Sequence, residues 1–168
     1  MDGGIVMAVR NSKELGTNLF TIANRLLSNQ KLLKYLKYTD VNPLDNKDIE
    51  NPVKEVLHKN IKIIPLVNEE ENGTESTVVL VYKGANIYES NSEFKDVDLT
   101  ILVYTPLVEW QINDVNLRPF VIMSEIEESL KNKRIDGLGT LKYLGFSLDL
   151  LTDKLSCYKL DFTLDTFN

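Results

Sequence analysis

Val97-Asp98-Leu99-Thr100-Ile101-Leu102-Val103-Tyr104 decides the fold. Its near-continuous apolar run predicts a β-strand buried on both faces. Upstream, residues 84–95 read as a polar loop, and residues 76–83 as a second strand. Before that, Ile61-Lys62-Ile63-Ile64-Pro65-Leu66-Val67 is rich in β-branched residues, with Pro65 pushing it towards an edge or a bulge. The tract Asn68-Glu69-Glu70-Glu71-Asn72-Gly73-Thr74-Glu75 suits a solvated turn, so residues 61–83 are expected to form a hairpin. Nearer the N-terminus, Leu19, Ile22, Ala23, Leu26, Leu27, Leu33 and Leu36 fall at three-and-four spacing. This predicts a helix or helix pair over 18–38, capped by Thr17 or Asn18 and broken near Ser28-Asn29. Residues 42–60, with Pro43 and Pro52, read as an irregular connection containing one helical turn at 53–58.

Downstream of the central strand, Arg118-Pro119-Phe120-Val121-Ile122 leads into a second helix in which Ile122, Ile126 and Leu130 share a face. Ser124 with Glu127 fits a capping box. Gly137 and Gly139 read as the turn that stops this helix. Two closing strands follow at 140–148 and 158–167, the second alternating Tyr158, Leu160, Phe162 and Leu164 against Lys159, Asp161, Thr163 and Asp165. The order predicts an α+β fold: a mainly antiparallel sheet of about five strands with an N-terminal helix and a second helix packed on one face. Residues 1–16 are expected to be an N-terminal extension, and 17–168 a single domain.

The 168 residues suit one core, and 19 Lys plus Arg against 25 Asp plus Glu leave a formal charge of −6, without the cationic excess of non-specific nucleic-acid binders. Cys157 is the single cysteine and His58 the single histidine, so neither a disulfide within the chain nor a Cys/His zinc site is expected. No apolar run approaches the roughly twenty residues of a membrane helix. The opening residues lack a signal peptide's apolar region, so the expectation is a protein made in the cytosol, with no membrane partner.

Asp96-Val97-Asp98 is the strongest enzymatic lure: carboxylates two apart on a strand share a face and can hold a divalent metal between them. It resembles the Asp-x-Asp strand of nucleotidyltransferases, with Glu93 as a third carboxylate. The Gly-Ser turn those enzymes use to bind phosphate is missing from Glu89-Ser90-Asn91-Ser92-Glu93. The preferred reading of these aspartates is an acidic strand start. His58 lacks a nucleophile elbow anywhere in the chain, and Cys157 lacks a close basic neighbour. Gly137-Leu138-Gly139-Thr140 falls short of a dinucleotide fingerprint. Lys31, Lys34 and Lys37 beside Arg25 read as a solvated face. No catalytic residue, metal or cofactor is assigned.

Trp110 and Arg118 lie in the polar connection 106–118, and Trp and Arg are the residues that most often anchor protein interfaces. They are the leading interface candidates, the alternative for Trp110 being that it completes the core. Arg134, in the basic cluster after the second helix, and Asn91, in the loop 84–95, complete the set.

The run from Asp98 to Tyr104, the Trp-containing connection, Arg118-Pro119 before a helix and Gly137-Leu138-Gly139-Thr140-Leu141 before two closing strands resembles tailed-bacteriophage neck and tail-completion proteins of the tail-terminator type. Tyr38-Thr39-Asp40-Val41-Asn42-Pro43-Leu44 is similar to the end of their N-terminal helix. The resemblance implies a structural virion protein and no enzyme. It implies a homo-oligomeric ring that contacts neck, portal or tail proteins, with DNA passing the lumen unbound.

Overall fold

The computed structural model describes residues 11–64, 75–87, 94–135 and 139–165. Helix α1, Ser12–Leu27, starts earlier than expected, because Asn11 rather than Thr17 or Asn18 accepts the Glu14 N–H as N-cap. Residues 12–16 therefore belong to this helix and not to an extension, and Leu15 packs against the core. The break falls at Ser28-Asn29 as read, and Asn29 caps α2, Gln30–Lys37, by accepting the Leu32 N–H at 3.2 Å. The Asn29 amide also donates to Ser129 Oγ at 3.0 Å, which fixes the break against the second half of the chain.

A 3₁₀ turn at Pro43–Asp45 and a short helix α3, Pro52–Glu55, form the irregular connection. Strand β1 is only Ile61–Lys62. It pairs parallel with β2, Thr77–Ile87, at Ile61↔Val78 and Lys62↔Val79. This corrects the expected hairpin, whose strands would be antiparallel; residues 65–74, which hold the end of the strand read at 61–67 and most of the turn read at 68–75, lie outside the described residues. Of the polar segment read as a loop at 84–95, the described residues, 84–87 and 94–95, are strand. β2 runs to Ile87, and β3, Phe94–Pro106, begins before the apolar run does.

Helix α4, Arg118–Leu130, opens on Arg118-Pro119, where proline's fixed φ and missing N–H suit a first turn. Ser124 is consequently mid-helix and is not the N-cap, a position held by Leu117. The helix ends at Leu130, so the glycines do not stop it. Instead β6, Arg134–Ile135, turns back onto β7, Gly139–Leu151, pairing Ile135↔Gly139, with Gly139 at φ 92°. Gly137 lies outside the described residues. β8, Leu155–Asp165, closes the sheet. A small second sheet pairs β4, Gln111–Ile112, with β5, Asn116–Leu117.

The main sheet has the order β1-β2-β3-β8-β7-β6, antiparallel except at β1. Six strands replace the expected five or so, and the α+β class holds. The rows Leu80–Ile101–Leu160 and Tyr82–Leu99–Phe162 face the helices, burying Ile22, Leu26, Leu33, Leu36, Ile122 and Ile126 against them. The alternation read in β8 is observed: Leu160, Phe162 and Leu164 are buried in this core. On the opposite face, Val79, Tyr104, Leu155 and Cys157 form a smaller buried cluster, which accounts for the two-sided burial of β3. Register shifts follow Tyr82 in β2, which pairs with Leu99, and Tyr143 in β7, which pairs with Phe162, so both strands bulge where they flank the same central pair.

Candidate assembly surface

The connection between β3 and α4 is held by Arg118. Its side chain is 0% exposed. Nε donates to the Glu109 carbonyl at 2.8 Å, Nη1 to the carbonyls of Tyr35 and Tyr38 at 2.7 and 2.8 Å, and Nη2 to that of Asp40 at 2.7 Å. The guanidinium thus takes up carbonyls at the end of α2, where a helix leaves its last acceptors unpaired. Burial lowers the Arg118 pKa, and Glu109 and Asp40 oppose the shift. This corrects the sequence expectation: Arg118 is buried within the fold and presents no surface to a partner.

Trp110 is half-buried. Its indole N–H donates to Ser156 Oγ at 3.0 Å, so one edge is tied to β8. The rest of the ring borders a groove of about 790 Å³ with Val41, Leu107, Val108, Asn113 and Leu117. Two apolar side chains of the connection stand outward, Val108 92% and Val115 85% exposed, while Ile112 is buried in the core. Asn113, at φ 44°, gives the tip its left-handed turn, and its N–H donates to the Val41 carbonyl at 2.7 Å.

From Trp110 a run of rings crosses the surface towards β7. Trp110 and Tyr158 lie 6.4 Å apart between centroids, Tyr158 and Phe120 5.3 Å, and Tyr158 and Phe146 6.1 Å. Phe120, in the first turn of α4, and Phe146, on β7, are both exposed. Sequence reading missed Phe120 and Phe146 as surface residues. Phe120 lies in the segment read only as leading into the second helix, and Phe146 in a strand for which no face was assigned. Arg134 is exposed on β6, away from this run in the chain, and Asn91 lies outside the described residues.

The acidic pair lies within β3 and not at its start, since the strand already begins at Phe94. Asp96 and Asp98 are both exposed on β3, and Glu93 lies outside the described residues. Asp98 borders a groove of about 340 Å³ with Lys83, Gly145 and Asp161. The Asp161 carboxylate is engaged there, accepting from Lys83 Nζ at 2.8 Å and Thr100 Oγ1 at 2.7 Å. Among the described residues no group of three His, Cys, Asp or Glu is placed to hold a metal ion. His58 is exposed at φ 65° with its ring edge-on to Phe20. Cys157 is buried, and burial pushes its thiol up to about 12. The basic stripe is partly engaged: Lys34 pairs with Asp48, Lys37 with Glu55, and Arg25 donates to the Ser129 carbonyl. Among the described residues no helix is long and apolar enough to cross a membrane.

Compared with known proteins, residues 29–164 match the family model described as YomW, which carries a phage-derived gene name. No curated protein matches the chain.

Proposed function

Because the chain belongs to the YomW family, and so to a phage-associated group, we propose that it is a structural subunit of a tailed-phage virion, one copy of a ring at the neck or tail terminus. The observation that carries this reading is the outward apolar surface of the β3–α4 connection, where Val108 and Val115 stand in water beside the half-buried Trp110. Exposed apolar residues gathered in one patch mark places where another macromolecule binds. The subunit's partners in this reading are further copies of itself and the neighbouring neck, portal or tail proteins. DNA passes through the lumen without specific contacts, consistent with a formal charge of −6.

Negative-stain images and light scattering of the purified protein, alone and with a neck or tail preparation, test the reading. Closed rings are the expected outcome. Discrete monomers that bind neither preparation would overturn it, and calorimetric uptake of Mg²⁺ or Mn²⁺ would move the reading towards metal-dependent nucleotidyl transfer through Asp96 and Asp98.

A further inference from the structure

On the helix-bearing face of the sheet, cover stops between β8 and β7. Three cross-strand rows show it. Ile101 and Leu160 are buried beside Phe146, Val103 is buried and Tyr158 half-buried beside Leu148, and Thr105 and Ser156 are buried beside Leu151. Phe146, Leu148 and Leu151 are each more than half exposed. Residues directly opposite on neighbouring strands share a face, so these three side chains stand on the side that the helices cover elsewhere. The ring contact between Phe146 and Tyr158 agrees. Helix α4 buries Ile122 and Ile126 in the adjoining core, while Leu117 and Phe120 at its start are exposed, Phe120 with its ring against both Phe146 and Tyr158. The surface is therefore a step, a shoulder one helix thick, about 10 Å, beside an uncovered apolar strand.

We propose that two copies of the chain pair through this step about a twofold axis, the start of α4 in each seating Leu117 and Phe120 on Phe146, Leu148 and Leu151 of the other. Shape argues for a second copy as the occupant. A step turned through half a circle about its own edge fits itself, because each shoulder fills the other's recess. A twofold contact uses one patch on both subunits, and here shoulder and recess lie side by side in one patch. Area agrees. The five side chains leave roughly 450 Å² of apolar surface in water, and a standard interface takes about 800 Å² per partner, a little over half of it apolar. None of the five carries a charge, so their pairing strands no ion away from water. The inference goes beyond the ring reading: head-to-tail joints build a ring, whereas this contact pairs free subunits or stacks one ring on another.

Sedimentation of the purified chain from micromolar to near-millimolar concentration tests the pairing. Wild type is expected to give pairs, or rings stacked in twos. Leu117→Glu and Leu148→Lys change exposed side chains, and each places a charge in both halves of a twofold contact, so each is expected to weaken pairing more than tenfold. Mixed in equal amounts, the two variants set the new carboxylate against the new ammonium in one half and keep the wild-type contact in the other. The mixture is therefore expected to give one-to-one pairs within about fivefold of the wild-type affinity. Phe120→Glu and Leu151→Lys repeat the exchange should either first variant lose its thermal transition. Wild type that stays single throughout, a variant that pairs as tightly as wild type, or a mixture that stays single overturns the pairing. Open-ended chains in place of pairs overturn the twofold seating. A single wild-type chain that binds a neck preparation, with that binding lost in Leu148→Lys, gives the step to a different protein and overturns the proposal while leaving the virion reading standing.

Discussion

Arg118 Nη1 lies 2.7 Å from the Tyr35 carbonyl oxygen, across 83 residues of sequence. Through this bond and its three companions a single guanidinium joins the end of α2 to the start of α4. Arg118→Ala strands those carbonyls in a dry interior, and Arg118→Lys replaces a planar fork by one ammonium that cannot reach all of them. Each substitution is expected to destabilise the fold by about 3 kcal/mol or more. Urea unfolding checks this, and a variant midpoint equal to wild type would refute the anchoring role.

Trp110→Ala is expected to act mainly on assembly. It removes one hydrogen bond to Ser156 and a ring contact with Tyr158, a loss of about 1–2 kcal/mol in the monomer, while clearing the centre of the exposed patch. Light scattering and thermal melts on the same samples separate the effects. If the variant assembles as well as wild type and only melts lower, Trp110 belongs to the fold alone.

Asp161 gives the protein an acid-sensitive contact. Burial raises its pKa, but the hydrogen bonds from Lys83 and Thr100 outweigh this and the net shift is downward. A carboxyl depressed in the folded state adds stability that is complete above the ordinary Asp pKa of about 3.9 and is lost as pH falls through the folded value. The stability gap between wild type and Asp161→Asn should therefore be open at neutral pH and close on acidification. A gap that does not change with pH would count against the assignment.

Asp98→Asn should leave assembly intact with at most a small change in stability, since the carboxylate is exposed at the rim of β3. Loss of a nucleotide-dependent activity in this variant would reverse the structural reading of the acidic pair.

Cys157, buried and with its pKa pushed up to about 12, should resist a thiol reagent in the native protein at pH 8 and react once urea unfolds it. Labelling of the folded protein at the rate of a free thiol would show that the smaller cluster opens readily.

The parts of the fold legible in sequence are those where one face meets one core. The 3.6-residue spacing of Ile22, Leu26, Leu33 and Leu36 and the two-residue alternation of β8 both follow from burial on one side. The long arms of β2 and β3 did not read as strand because they extend beyond the helices, where Lys83, Gly84, Asn86 and Asp98 face water and carry no apolar period. Parallel pairing of β1 has no local signature, since its partner arrives only after an intervening segment. Arg118 was misread for a related reason. Its acceptors are backbone carbonyls, which every residue has, so nothing in the residue types of the α2 end marks them as its destination.

The order of strands also has a consequence for synthesis. β8, the last strand among the described residues, sits between β3 and β7 in the interior of the sheet. While the ribosome is still adding residues 155–165, β3 has its β2 neighbour but lacks the other, and its apolar row from Leu99 to Val103 has an unguarded side. The sheet is therefore completed only as translation of this region ends, and nascent chains halted after β7 would expose that row to chaperones, proteases and one another.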